Sequence, residues 1–204
     1  MPEIDKIGEL NQTWGICGFA SALYALYQDT GDRSRRSQLA RRVETDTNLL
    51  AEIKTFLVTL HAENQTGLLN QIEQFTRSFP GFGQFTVNGY IAKVNSIGAA
   101  GIGPVGDLKA DAKFSIALPP DAVAFYLKRM CDFPRARVEP HIGSRKSRLV
   151  VGVRKRGGKT TPYGGLVHWM YQSGGTVYSW GRQFSSIAKA DRDYVVCSEV
   201  SPYG

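Results

Sequence analysis

The feature that most constrains the fold is a change of hydrophobic period near residue 80. Before that point apolar residues recur at helical spacing, and after it most apolar segments have strand composition. Helices and strands do not alternate along the chain, which opposes a doubly wound parallel sheet. We therefore predict an α+β fold for the 204 residues. It would form one domain, with a helical lobe over about 1–80 and a β-rich lobe over about 81–204.

Local patterns predict the individual elements. Apolar spacing predicts helices over 17–28, 34–44, 68–79 and 119–130, and a further helix that Asp46 or Thr47 caps. The basic composition of 34–44 indicates a largely exposed helix. Pro80 ends the predicted helix over 68–79. Strand composition predicts strands over 85–94, 113–118, 135–139, 147–155, 165–172, 176–180 and 194–200.

Charge and hydropathy limit the partners. No apolar run approaches the ~20 residues of a membrane span, and the first ten residues, MPEIDKIGEL, lack the apolar region of a secretory signal. We expect a cytoplasmic protein, or one that a specialised secretion system delivers into a target cell. The net charge of +7 comes largely from 32–42 and 145–156. Nucleic acid, an acidic protein and anionic lipid are possible partners of such segments. We interpret them as a solvated face, because no nucleic-acid fold signature accompanies the charge.

The cysteines and glycines do not predict a cofactor. The chain has three cysteines, Cys17, Cys131 and Cys197. An odd number at wide spacing is typical neither of a disulfide framework nor of a metal site. Residues 101–106 match GxGxxG by letter, but no acidic-tipped second strand follows at the distance that a dinucleotide site requires. We therefore predict neither a metal nor a cofactor.

Cys17 is the candidate nucleophile, and a small core cysteine is the alternative. It stands where the first helix begins, and a helix N-terminus lowers the pKa of a thiol. A nucleophilic cysteine also needs a histidine, a group that orients the histidine, and donors for the oxyanion. Gln12, five residues upstream, is placed for the donor role.

His168 is the candidate base. Residues 164–181 read GGLVHWMYQSGGTVYSWG, which predicts a tight β-hairpin. With Ser173-Gly174 as its turn, His168 lies directly opposite Ser179 on the same face, and a one-residue slip brings Trp180 opposite instead. The other histidines are weaker candidates, since one falls in an apolar helix and one in a Pro-Gly loop; they are His61 and His141.

Two short motifs resemble the papain-like cysteine peptidases: QTWGICGFA at 12–20 and SWG at 179–181. In that family a Gln precedes a Gly-x-Cys that opens a long helix, and a Ser-Trp-Gly follows the distant histidine. The resemblance implies a helical lobe packed on an antiparallel β lobe, with the active site in the cleft between them. It also implies that Gln12 holds the oxyanion and that Trp180 shields the histidine pair. Tyr178 stands where the family has Asn, so Ser179 replaces that residue or the site is a Cys–His dyad.

The resemblance implies a cysteine peptidase that hydrolyses a protein or peptide substrate, of a divergent bacterial effector or toxin type. An inhibitor or immunity protein is a candidate partner, and nucleic acid is not expected to be one. Two alternatives use the same Cys–His site: a peptidoglycan amidase and a glutamine deamidase. A third is a non-catalytic module that binds through its basic face.

Overall fold

The computed structural model describes residues 14–43, 45–99, 114–158 and 162–204. Within these ranges the chain forms eight helices and one six-stranded antiparallel sheet. The helices are α1 (Cys17–Asp29), α2 (Arg33–Val43), α3 (Asp46–Ala62), α4 (Thr66–Arg77), α5 (Val87–Ala99), α6 (Pro120–Met130), α7 (Pro162–Gly165) and α8 (Ile187–Ala190). The strands are β1 (Arg137–Val138), β2 (Arg148–Lys155), β3 (His168–Ser173), β4 (Thr176–Ser179), β5 (Arg182–Phe184) and β6 (Tyr194–Ser201). The predicted mixed fold, with helices ahead of an antiparallel sheet, is confirmed.

The last strand of the chain is inserted into the sheet and does not form its edge. Its order is β1-β6-β2-β3-β4-β5, so β6 lies between β1 and β2 although it comes last in the chain. Lys155 at the end of β2 pairs with Tyr194 at the start of β6, and Val153 pairs with His168 at the start of β3. The starts of β3 and β6 therefore lie near each other, on either side of the end of β2.

The two faces of the sheet contact different apolar clusters. Val150, Trp169 and Tyr171 belong to the large core that contains the helices. Val153 and Met170 belong to a smaller cluster on the opposite face. This division follows from strand geometry, because successive side chains point to opposite faces.

Helix α1 is buried on nearly all sides, which fixes the position of its first residue. Phe19 and Leu23 are fully buried in the large core. Gly18 lies so close to the segment before α6 that a Cβ atom there would stand 2.9 Å from Leu118 Cβ. A helix that is apolar all round packs inside a protein, and α1 packs here against β3.

Helix α2 is exposed, as its composition predicted, and an ion pair with a buried carboxylate ties it to the core. Glu52 on α3, which is 6% exposed, accepts hydrogen bonds from Arg42 Nε at 2.7 Å and from Arg42 Nη2 at 2.5 Å. The Tyr126 hydroxyl on α6 donates to the same carboxylate at 2.8 Å. A buried carboxylate needs such partners, so this cluster joins three helices.

The predicted strand over 85–94 is wrong, because this segment forms most of helix α5. Val87, Tyr90 and Val94 are all buried in the large core. Their spacing of three and four residues places them on one helical face. The β-branched and aromatic composition suited a strand, but tertiary packing overrides such preferences. Helices consequently continue to Met130, past the lobe boundary predicted near residue 80.

Side chains satisfy the backbone donors at the start of α5. Glu73 Oε1 on α4 accepts from Val87 N at 2.8 Å, and Thr86 Oγ1 accepts from Gly89 N at 3.0 Å. The first N–H groups of a helix have no intrahelical acceptor, so these bonds stabilise its N-terminus. One of the two partners comes from another helix, and the local sequence gives no sign of it.

The predicted strand over 113–118 forms no strand in its described part, 114–118. Thr76 on α4 holds this segment instead: Ala117 N donates to Thr76 Oγ1 at 3.1 Å, and the hydroxyl donates to Ala117 O at 3.4 Å. Leu118 O accepts from Trp169 Nε1 at 2.9 Å. The segment thus connects α4 to β3 through side-chain bonds.

The β3–β4 hairpin turns one residue later than predicted. Its turn is Gly174-Gly175, with φ of 54° and 84°, and Tyr171 pairs with Tyr178. Two glycines adopt these left-handed conformations without a Cβ penalty, which favours them over Ser173-Gly174. The later turn keeps His168 and Ser179 on one face, but they are no longer directly opposite.

Two smaller differences concern the ends of elements, and a third concerns a strand that is absent from the prediction. Thr45, one residue before the predicted caps, accepts from Asn48 N at 3.1 Å and caps α3. The strand predicted over 165–172 begins only at His168, because Tyr163 and Gly164 in α7 have positive φ values. Strand β5 was not predicted.

None of the helices in the described ranges is long and apolar enough to cross a membrane. The GxGxxG segment at 101–106 lies outside the described residues.

Candidate functional site

A pocket of about 200 Å³ contains both predicted catalytic side chains. Cys17 enters it from α1 and His168 from β3, while α4 and the segment 115–118 form further walls. Most of the remaining lining is apolar: Phe75, Phe79, Phe82, Ile116, Leu118 and Leu166. The fold therefore brings together a thiol and an imidazole that are about 150 residues apart in the sequence.

Cys17 lies at the start of α1 among backbone donors. Ile16 occupies the N-cap position and makes no side-chain capping bond. The first N–H groups of a helix have no intrahelical acceptor, and together they favour negative charge. Gly15, just before, has a φ of +55°, and a Cβ there would stand 3.6 Å from Ser115. Glycine thus permits the left-handed turn that leads into the helix.

His168 has one ring nitrogen bonded to Ser179. Nε2 and Oγ lie 2.7 Å apart, and the residues are 6% and 2% exposed. Because buried polar atoms require partners, this bond holds the Nε2 end of the ring in place. When Nε2–H donates to the hydroxyl, Nδ1 carries no proton and is free to accept one. That is the tautomer a general base needs.

Trp180 covers His168 at the cost of backbone strain. The two rings stack with centroids 4.3 Å apart and an interplanar angle of 11°. Trp180 has a φ of 48° and Gly181 a φ of 72°, in the two-residue turn between β4 and β5. Asn-Gly is the usual pair in such turns, and a bulky residue there is strained. The strained Trp180 supplies the face on which the imidazole lies.

Burial keeps the thiol and the imidazole uncharged. It raises the pKa of Cys17 to about 11, although backbone N–H groups of Trp169 and Gly18 act in the opposite direction. It lowers the pKa of His168 to about 3. The sequence predicted a lowered thiol pKa at the helix N-terminus, and this prediction is wrong. The helix start favours the thiolate, but desolvation is the larger effect and raises the pKa. At neutral pH the resting site holds a thiol and a neutral imidazole.

The other predicted positions fall in three places. Gln12 lies outside the described residues. Tyr178, at the position of the family's Asn, does not orient the imidazole; its hydroxyl accepts from Gln28 Nε2 on α1 at 3.1 Å. His61 and His141 are exposed and do not line the pocket.

Sequence reasoning missed two features of the site. Phe75 and Phe79 belong to α4 and its C-terminal end, and their helical spacing indicated only a core stripe. Tyr194 stacks near His168, with ring centroids 6.0 Å apart. No local pattern indicated Tyr194, because the place of β6 in the sheet depends on a crossover. The two aromatic rings that stack near the imidazole, those of Trp180 and Tyr194, thus come from separate parts of the chain.

No group of three or more His, Cys, Asp or Glu in the described ranges is arranged to hold a metal ion. Comparison with protein-family models, curated proteins and solved structures finds no match for this chain.

Proposed function

We propose that this chain is a papain-like cysteine peptidase in which Cys17 is the nucleophile and His168 the general base. The observation that carries the proposal is the buried bond between Ser179 and His168, whose ring stacks on Trp180 and which lines the same pocket as Cys17. A histidine with one nitrogen bonded and the other free, beside a cysteine at a helix start, has the parts that acyl transfer needs.

The reaction proceeds in two halves. As Cys17 Sγ attacks the carbonyl carbon, Nδ1 of His168 takes the thiol proton, and the imidazolium is stabilised by the Nε2–H bond to Ser179. The imidazolium then returns that proton to the amine nitrogen as the carbon–nitrogen bond breaks, which leaves a thioester. Water attacks the thioester with His168 again as base, and the carboxylic acid and the Cys17 thiol are released.

The start of α1 would stabilise the oxyanion. The backbone N–H of Cys17 belongs to the uncapped first turn, where donors lack intrahelical acceptors. Such preorganised donors act on charge that develops only during the reaction. We propose Gln12 as the side-chain donor that completes the pair.

The pocket lining favours a substrate with an apolar side chain beside the scissile bond. Phe75, Phe79 and Leu166 surround the space next to Cys17. Burying a leucine or phenylalanine side chain there contributes about 1.5–3 kcal/mol of binding free energy. A glutamine amide or a glycan-linked peptide would leave polar groups against these apolar walls, which costs binding. This observation supports peptidase activity over the deamidase and amidase alternatives.

A matched pair of cysteine variants tests the proposal. Fluorogenic peptides that vary the residue next to the scissile bond would be compared with free glutamine side-chain amides and with peptidoglycan fragments. We expect hydrolysis of peptides with leucine or phenylalanine, abolished by Cys17→Ser and retained by Cys197→Ser, since Cys197 is also a free half-buried thiol. Release of ammonia from glutamine alone would indicate a deamidase, and cleavage of peptidoglycan alone would indicate an amidase. Either result would contradict the peptidase proposal.

Covalent probes separate catalysis from simple thiol exposure. Burial raises the pKa of both Cys17 and Cys197 to about 11, so we expect iodoacetamide to react slowly with either at pH 6. A peptidyl vinyl sulfone with leucine in the pocket should modify Cys17 alone, and His168→Gln should abolish that reaction. Equal labelling of the two cysteines by the peptidyl probe would contradict a catalytic role and leave the binding-module alternative.

A further inference from the structure

Tyr194 is a third aromatic ring at the imidazole. Its centroid lies 6.0 Å from that of His168 and 6.1 Å from that of Trp180, at interplanar angles of 19° and 28°. The three rings are thus nearly parallel, with Tyr194 almost equidistant from the other two. Trp180 comes from the β4–β5 turn and Tyr194 from the first position of β6. The imidazole is therefore restrained from two parts of the sheet that are not neighbours in it.

The surroundings of Tyr194 hold its ring in place. Lys155, its cross-strand partner on β2, lies with Nζ 4.6 Å from the ring centroid and forms an ion pair with Asp191. Tyr194 N donates to Asp191 O at 3.2 Å, so the same residue anchors the backbone. A cation over an aromatic face adds about 0.5–1 kcal/mol at exposed sites. Backbone and ring are therefore both fixed from β2 and the turn before β6.

We propose that Tyr194 is a positioning residue for His168, an inference that rests on the proposed function. Together with Trp180 its ring restrains the imidazole, and the Lys155–Asp191 pair keeps the ring there. A general base must hold its proton-accepting atom within a narrow geometry, and a displacement of about 1 Å can cost 10²-fold in rate. The Ser179 bond fixes only one point of the imidazole, so a ring beside it limits rotation about that bond.

The aromatic ring, rather than the hydroxyl, carries this role. Burial is the main cause that raises the pKa of Tyr194 to about 12, followed by Asp191 and Cys17, so the phenol stays neutral at neutral pH. Cys17 of α1, Ser179 of β4 and Tyr194 are the titratable and polar groups that share the pocket or a contact with His168, and Lys155 and Asp191 lie against Tyr194. Removing the ring would open the imidazole to water, whereas removing only the hydroxyl would not.

Three variants test the proposal: Tyr194→Phe, Tyr194→Ala and the control Phe184→Ala. Phe184 packs in the same small cluster from β5 and makes no ring contact with His168. We expect Tyr194→Phe to keep kcat within about twofold and Tyr194→Ala to lower it about tenfold or more, with KM changed less than kcat. Phe184→Ala should keep kcat within about threefold.

Titration of His168 by NMR gives a second readout that does not depend on a substrate. In the wild type and in Tyr194→Phe the imidazole should stay neutral well below its ordinary pKa, and Tyr194→Ala should raise the pKa towards that ordinary value of about 6.5. The proposal is overturned if Tyr194→Ala leaves the titration unchanged, or if Phe184→Ala shifts it equally. If no amide substrate is hydrolysed, the proposed function fails, and the titration still decides whether Tyr194 encloses His168.

Discussion

Replacing Ser179 with alanine removes the hydroxyl that is bonded to His168 Nε2 and leaves that nitrogen buried. The bond is 2.7 Å long and both residues are at least nine-tenths buried. Leaving a buried polar atom without a partner costs about 1–3 kcal/mol. We expect Ser179→Ala to lower the free energy of unfolding by that amount.

The same change should slow catalysis, because the Ser179 bond selects the tautomer and steadies the imidazolium. If the lost interaction of about 1.4–2.8 kcal/mol is fully expressed in the transition state, kcat falls about 10–100-fold. This is a smaller loss than that of a catalytic carboxylate, since a neutral hydroxyl stabilises the imidazolium less. KM should change less than kcat, because the hydroxyl does not line the pocket.

Urea unfolding and peptide hydrolysis on the same preparations measure both effects, with Ser198→Ala as the control. Ser198 is also a buried serine of the sheet, on β6, and does not bond the imidazole. We expect Ser198→Ala to leave kcat unchanged. The reasoning is refuted if Ser179→Ala retains wild-type kcat and stability, or if Ser198→Ala reproduces both losses.

Three further changes have defined outcomes. Because the folded pKa of His168 is lowered to about 3, the unfolded chain binds this proton first as the pH falls. Acid titration of urea unfolding should therefore show stability falling by up to about 1.4 kcal/mol per pH unit between about pH 6.5 and pH 3, and His168→Gln should remove that component. Trp180→Asn should relieve the positive-φ strain, so that urea unfolding shows a stability change within about 1 kcal/mol, while kcat falls about tenfold because the stacked ring is lost. Glu52→Gln should lower the free energy of unfolding by about 2–3 kcal/mol, against less than about 1 kcal/mol for Glu63→Gln in an exposed ion pair.

Elements were predicted well where the buried residues repeat with a clear period within one segment of the chain. The first helix, the helix before Met130 and most strands of the sheet were predicted within a few residues. Their apolar residues repeat with a clear period, and prolines or glycines mark their ends. The β3–β4 hairpin was predicted for the same reason, and only the choice of its two turn residues was wrong.

The errors occur where distant residues decide the structure. The segment that forms α5 has the composition of a strand, but Glu73 of another helix accepts from its first backbone donor. The segment over 114–118 is held by Thr76 and Trp169 in place of a strand partner. Neither partner can be identified from the local sequence, because each depends on how α4 and β3 pack.

The candidate site divides in the same way. Cys17, Ser179 and Trp180 lie in two short motifs, and His168 lies in the predicted hairpin that ends with the second motif, so their identity could be proposed from the local sequence. Tyr194 could not, because it reaches the site through the insertion of β6 beside β2. The charge state of the site was also wrong, since a motif shows that a cysteine opens a helix but not how deeply its sulfur is desolvated.

That desolvation determines how the proposed reaction begins. Burial opposes both the Cys17 thiolate and the His168 imidazolium, and the attraction of two charges about 4 Å apart recovers only about 4 kcal/mol at the effective dielectric constant of proteins. In the proposed reaction a bound carbonyl would supply the missing stabilisation of negative charge, because that charge would move from sulfur to an oxygen at the uncapped start of α1. Proton transfer to His168 is therefore coupled to formation of the sulfur–carbon bond. In the proposed reaction the apolar pocket that raises the thiol pKa would also bind the substrate side chain, so the same walls would keep the free thiol unreactive and select the peptide that activates it.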